Sequence, residues 1–174
     1  MEDQKAYYRR MEPFIEDFGS MFENAGSQSI SGRIMGWLMV CEPPHQSAAQ
    51  LAELLNASKG SISAGTQLLI TLGFVDKIKL PGDRKTYYRM QPNVWLNMAR
   101  ARELMRDRYI QIARKGLNLM KEKSLESKER LIEMEHLHVY SQSEIPKVLE
   151  NWAGEWTKFK NSPAFEEYGS SEEE

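Results

Sequence analysis

Apolar residues recur along most of this chain with a helical period, and the exceptions gather in one short stretch. Between Lys5 and Ala25 they fall at Tyr7, Met11, Phe14, Phe18, Met21 and Ala25, with Ile15 and Phe22 beside them. That spacing is close to a heptad seam and predicts an amphipathic helix beginning near Asp3. Pro13 lies inside it, where the missing N–H and the pyrrolidine ring weaken or kink a helix. Gly26-Ser27-Gln28-Ser29 then supplies turn chemistry. Ile30 to Cys41 is strongly apolar and predicts a buried helix. It stops at Glu42-Pro43-Pro44-His45, because a residue before proline is driven out of the helical region.

From Ser47 to Arg89 the pattern changes twice. Ser47-x-x-Gln50 has capping-box form and opens a short helix with Leu51, Leu54 and Leu55 on its apolar face. Asn56-Ala57 make a turn, and Ser58 caps a second helix running to about Leu72. In that helix Ile62, Leu69 and Leu72 are expected to face inward, with Gly65 and Thr66 small enough for close packing. Gly73 stands where a left-handed residue ends a helix. The period then drops to two over Phe74–Leu80 and Thr86–Met90, linked by Pro81-Gly82, which suits the central positions of a type II turn. Helix, tight turn, capped helix and hairpin, in that order, predict a winged helix-turn-helix whose second helix is sized for a DNA major groove.

After Gln91-Pro92-Asn93 a long helix is expected to about Lys123, with Val94, Met98, Ala101, Met105, Ile112 and Leu119 on one stripe. About 30 helical residues would span roughly 45 Å. A compact domain has no need of that length, which suggests a dimer arm. A further amphipathic segment covers Leu125 to Tyr140. A last helix is expected to be capped by Ser143, to take Pro146 in its first turn, and to carry Ile145, Leu149, Trp152, Trp156 and Phe159 on one face. The fold class is mainly α with a small two-stranded β wing. Its expected parts are an N-terminal dimerisation helix at 1–28, a winged helix-turn-helix DNA-binding domain at 29–91, a C-terminal helical dimerisation region at 92–160 and a frayed acidic tail at 161–174. Tyr7, Met11, Phe14, Phe18, Met105, Ile112, Leu149, Trp152 and Trp156 are the candidate dimerisation residues.

Charge sharpens this picture without deciding it. A net charge of -2 over 174 residues excludes a generally basic coat for nucleic acid, so any DNA-binding charge must be local. It is local in the hairpin, where Lys77, Lys79, Arg84, Lys85 and Arg89 oppose only Asp76 and Asp83. On the second helix the outward candidates are Lys59, Gly60, Ser61, Ser63, Ala64 and Gln67, with Ser58 at the cap. Gln67 can pair with adenine, Ala64 can touch a thymine methyl, and small hydroxyl residues at a helix N-terminus reach phosphate. Taken singly, each feature is also met on an ordinary solvated surface; they gain meaning by occurring together at this spacing. The arginines of the long helix (Arg100, Arg102, Arg106, Arg108, Arg114) read as a solvated face.

Other chemistry is sparse. Glu135, His136 and His138 lack ligand spacing, since positions two apart on a helix face different ways, so no metal site and no cofactor are expected. No nucleophile elbow, phosphate loop or dinucleotide fingerprint appears, and catalysis is not expected. The lone Cys41, at the end of a core helix, reads as a buried and inert thiol. With a charged start (MEDQKAYYRR) and no bilayer-length apolar run, a cytoplasmic protein without membrane contact is expected. Trp37 and Trp95 are candidate walls of a small-molecule effector site, because aromatic faces hold quaternary ammonium groups; core packing is the competing role.

The segments SGRIMGWLMVCEPPHQSAAQLAELLNASKGSIS, LGFV and LPGDRKTYYR, within residues 30–90, resemble the GbsR-like branch of the MarR-type winged-helix regulators. The resemblance implies a homodimeric transcription regulator whose terminal helices build the dimer, bound to a double-stranded DNA operator, with a quaternary ammonium osmolyte as its effector. One departure is clear: Lys59 is the only basic residue of the recognition helix, and the mid-helix arginine usual in such regulators is absent. The leading expectation is therefore an effector-responsive repressor on a palindromic operator. The alternative is a winged-helix module that docks proteins without reading DNA.

Overall fold

The computed structural model describes residues 4–170 and divides into two compact units, with the boundary between Val94 and Trp95. The first unit runs α1 (Gln4–Asn24), α2 (Ser29–Val40), β1 (Gln46–Ser47), α3 (Ala48–Leu54), α4 (Lys59–Thr71), β2 (Val75–Ile78) and β3 (Tyr87–Met90). Its core is centred on α2, where Ile34, Met35, Trp37 and Leu38 are buried. The seam of α1 that packs on α2 is Tyr8, Ile15 and Phe22, all buried, with Gly19 on the same side. This is the stripe next to the one with the most regular apolar spacing; Phe14 and Met21 of that stripe are exposed. Glycine decides which stripe goes inward. A β-carbon on Gly32 would lie 2.0 Å from the Phe18 carbonyl oxygen, and one on Gly36 would lie 3.2 Å from the Ile15 Cα. Helices that close can pack only where side chains are missing. Pro13 stays within α1 on its exposed side, where the carbonyl it leaves unbonded can meet water.

The sheet has three antiparallel strands in the order β1-β3-β2, one more than the expected two-stranded wing. Gln46 pairs with Tyr88 and Ser47 with Tyr87. Two residues are too few to show a period, so sequence pattern could not reveal this strand. Ser47 both ends β1 and caps α3: its hydroxyl accepts the Gln50 N–H, while Gln50 Oε1 accepts the Ser47 N–H at 2.9 Å. The capping box is thus present as expected.

The second unit continues α5 (Val94–Leu119) and adds α6 (Leu125–Lys160) and α7 (Pro163–Ser170). Instead of a break between Tyr140 and Ser143, α6 is one helix of 36 residues with Pro146 inside it. Its cap is Ser124; Ser143 Oγ instead donates back to the Tyr140 carbonyl at 2.9 Å, in place of an N-terminal cap. α5 and α6 form an antiparallel pair. Asp107 accepts from Gln142 at 3.1 Å, Tyr109 stacks on His138 at 4.7 Å, and Arg114 pairs with Glu135 at 2.6 Å. Arg106, expected on a solvated face, is buried with Glu103 3.8 Å away. The residues expected to fray after Asn161 include α7, whose Phe165 and Tyr168 fold onto Trp156 and Phe159 with ring centroids 5.7–6.0 Å apart. The rest of the expected tail, 171–174, lies outside the described residues. No helix among the described residues is long and apolar enough to cross a membrane.

Two consequences can be measured. Gly32→Ala forces α1 off α2 and should cost roughly 1–3 kcal/mol, seen as a lower thermal midpoint by circular dichroism, whereas Gly36→Ala, with more room, should cost less. The buried Cys41 thiol is pushed up to about 11, mainly by burial. An unfolded chain ionises this thiol first, so the folded state loses stability as pH climbs from the ordinary thiol value of 9.0 to about 11. Denaturant titrations should show that part of the alkaline decline missing in Cys41→Ala, and Cys41 should resist alkylation at neutral pH until the chain unfolds.

Candidate nucleic-acid interface

The geometry of the surface begins with how α4 is held. Asn56, at φ 47°, turns the chain between α3 and α4. The Ser58 hydroxyl accepts the Ser61 N–H at 3.1 Å and shares a hydrogen bond of 2.8 Å with the Ser61 hydroxyl. Ile62 and Leu69 are fully buried beneath the helix. Gly65 lies so close to α2 that a β-carbon there would be 2.8 Å from Ile34 Cδ1. The Thr66 hydroxyl donates to the Ile62 carbonyl at 2.8 Å and is buried with it. On the opposite face Lys59, Gly60, Ser63, Ala64 and Gln67 are exposed and Ser61 half-buried, which places these six candidates on one outward surface as expected. Leu72 departs from expectation: it is 47% exposed. It follows the last helical residue, where Gly73 at φ 76° redirects the chain, so the helical period no longer applies to it.

The wing is more organised than its composition suggested. Gly82 takes φ 77° and the Asp83 N–H donates to the Leu80 carbonyl at 3.1 Å, the arrangement expected for Pro81-Gly82 in a type II turn. Asp83 then builds the tip. One carboxylate oxygen accepts the Lys85 N–H at 2.8 Å and the other accepts the Tyr87 hydroxyl at 2.7 Å. These bonds, the Lys85 N–H first, hold the Asp83 carboxyl below its usual range, and Asp83 in turn raises the Tyr87 phenol. Lys79 ties the loop from the other side, donating to the Arg84 carbonyl at 3.0 Å and the Thr86 hydroxyl at 2.9 Å. Arg89 lies 3.9 Å from Asp76, whose carboxylate also accepts from Gln91 at 3.0 Å.

The five expected wing cations therefore divide. Lys77, Arg84 and Lys85 are exposed, and their side chains make no hydrogen bond or close ion pair among the described residues, whereas Lys79 and Arg89 are engaged inside the hairpin. By composition alone Asp83 is only an opposing charge. Its position two residues before Lys85 is the signal that was available, since aspartate commonly bonds a backbone N–H two residues on.

The remaining candidates are scattered. Trp37 is fully buried with its ring against Tyr7 and Tyr8, and offers no exposed face. Trp95 is 48% exposed. An open groove of about 330 Å³ in the first unit involves neither; Leu38, Met39, Pro44, Met90, Pro92 and Val94 line it, with Arg89 as the one charged residue. Tyr7 is half-buried and donates to the Val40 carbonyl at 2.9 Å, Met11 and Phe18 are half-buried, and Phe14 is exposed. Met105, Ile112 and Trp152 are exposed, while Leu149 and Trp156 are half-buried. No metal-holding group of His, Cys, Asp and Glu occurs among the described residues.

Comparison with known proteins agrees with this architecture. A model of the MmpR5-like MarR family transcriptional regulators matches residues 93–155. The HTH-type transcriptional regulator MmpR5 of Mycobacterium tuberculosis is 35% identical over 136 residues, covering 78% of this chain and 82% of that protein. A crystal structure of a transcriptional regulator superposes with a TM-score of 0.75 at 32% identity, covering 83% of this chain and 99% of that one. The chain is a winged helix-turn-helix protein that belongs to the MarR family of transcriptional regulators, within its MmpR5-like group.

Proposed function

We propose that the protein works as an effector-responsive homodimeric repressor that grips a palindromic operator with two copies of the α4 and wing surface. The observation that carries the dimer is α6, which has no buried residue in 36. Leu137, Ile145, Val148 and Trp152 share one of its faces at helical spacing and are all exposed. Exposed apolar residues gathered on one face in this way suit an interaction site. A two-fold pairing covers the same patch on both copies and sets two α4 helices for major grooves about 34 Å apart.

In this reading Ser61, Ser63, Ala64 and Gln67 face base edges, while Ser58, Lys59, Gly60 and the wing contact phosphate or the minor groove. Arg84 and Lys85 at the tip, with Lys77, supply most of the charge; Lys79 and Arg89 act by holding the hairpin in shape. The expected effector, a quaternary ammonium osmolyte, rests on the GbsR-like motif of residues 30–90, and of its two candidate walls only Trp95 has an open ring. The lone cation of α4, Lys59, favours a second reading, a winged module that docks proteins. Salt-dependent binding to DNA fragments separates the two.

Sedimentation should give a species of twice the 20.2 kDa chain mass. Leu137→Glu with Val148→Glu, both at exposed positions, should yield a folded monomer whose operator affinity is lower by about 10²-fold, the loss expected when two linked sites become one. Arg84→Ala with Lys85→Ala should weaken binding to all DNA sequences alike and flatten the slope of log affinity against log salt by about 3.6, two phosphate contacts' worth in each of the two copies. An unchanged slope would remove the wing from the interface.

A further inference from the structure

We propose that each α4 helix selects its half-site through A·T base pairs, with Gln67 as the adenine reader and Ala64 as the contact to a thymine methyl, and without a guanine contact from the middle of the helix. The inference rests on α4 being the DNA-facing helix, as proposed above.

Hydrogen bonds already made inside the protein narrow the set of readers. The Thr66 hydroxyl is buried and bonded to Ile62. The Ser58 and Ser61 hydroxyls are bonded to each other, and Ser58 also holds the Ser61 N–H. Ser63 and Gln67 are exposed with no side-chain partner among the described residues.

Position narrows the set again. Gly60, Ala64, Gln67 and Thr71 follow one another at helical spacing and are all exposed, so they form a single stripe. Gly60 and Ala64 add almost no bulk, which lets the first turns of the helix sit close to the bases. Gln67 is the first long side chain on the stripe.

Chemistry then selects the base pair. Guanine is read by a cation donating to O6 and N7, and the stripe carries no cation. Lys59 is eight residues from Gln67, about 12 Å along the axis. A carboxamide offers one donor and one acceptor side by side, which matches N7 and the N6 amino group of adenine. Ala64 lies three residues before Gln67, about 4.5 Å along the helix. That is near the 3.4 Å step between base pairs along each DNA strand, so its methyl meets the thymine of the same or the adjoining pair. The wing cations add affinity without sequence preference.

The test uses the full chain, and bound sites are recovered from random DNA. The wild-type protein should recover half-sites with a fixed A·T pair. Gln67→Ala should lose that preference by roughly 5- to 150-fold at that pair, while binding to unrelated DNA and its salt slope stay as they were. Gln67→Glu, which keeps the length but only accepts hydrogen bonds, should move the preference from adenine towards cytosine. Replacing thymine by uracil in the recovered site removes only the methyl and should weaken the wild type about 4-fold; Ala64→Gly should bind the thymine and uracil sites equally. Recovered sites that keep the same A·T pair with Gln67→Ala, or that fix guanine there, overturn the inference and leave the DNA-binding reading intact. Absence of any salt-dependent DNA binding by the wild type overturns both.

Discussion

Ile34 of α2 enters the space left by the missing side chain of Gly65, at a distance where any β-carbon would be forced against it. Much of the first unit depends on that approach. It seats α4 on α2 along Ile62, Gly65, Thr66 and Leu69, and by the geometry of a helix this leaves Gly60, Ser63, Ala64 and Gln67 outside. The same α2 carries α1 through Gly32 and Gly36, so two glycines of α2 and one of α4 set how α2 orients both its neighbours. Gly73 then turns the chain from α4 into β2, and the Gln91 N–H donates to the Phe74 carbonyl at 2.8 Å, closing the hairpin back on the strand start. The wing is thereby fixed relative to α4.

Charge is distributed to match. The chain is net acidic, yet its exposed cations on the wing are neutralised only in part, because Asp83 is turned inward to hold the tip and Asp76 is shared between Arg89 and Gln91. An aspartate that accepts two hydrogen bonds within its own loop orders the backbone that carries Arg84 and Lys85. Counting charges along the hairpin treats Asp83 as an opponent of those cations, whereas the structure makes it their support. Lys79 illustrates the reverse: a cation counted for the outside is bonded across the loop.

These cases show what sequence could and could not disclose. Signals that act within a few residues were legible: the Ser47–Gln50 capping box, Ser58 at the start of α4, Gly73 at its end and Gly82 in the turn all depend on local backbone geometry. So was the outward face of α4, because its buried residues repeat with the helical period. Features decided by contacts between distant segments were not. The choice between the Tyr7–Phe14 stripe and the Tyr8–Ile15–Phe22 stripe of α1 depends on glycines in α2. The pairing of Gln46 and Ser47 depends on Tyr87 and Tyr88, some forty residues later. Local preference places proline at 146 in the first turn of a helix, but the helix runs through it.

The family match covers 93–155, the helical arm, whereas the motif that resembles winged regulators falls in 30–90. At the level of the MarR family the arm and the winged domain thus support one assignment from separate parts of the chain, and the finer match is to the MmpR5-like group. They also need each other physically in the proposed reading. A recognition helix with one cation and mostly small side chains has little to gain from a single half-site. A bidentate glutamine contact discriminates by about 1–3 kcal/mol, far less than the roughly 4–10 kcal/mol that separates specific from non-specific binding in typical DNA-binding proteins. Joining two copies makes the second contact intramolecular and lets modest readers add. The long arm is then a requirement of so sparse a recognition surface, because it holds the second copy at the one spacing where both can engage. A ligand that altered the spacing of the arms would release the DNA without touching a base contact.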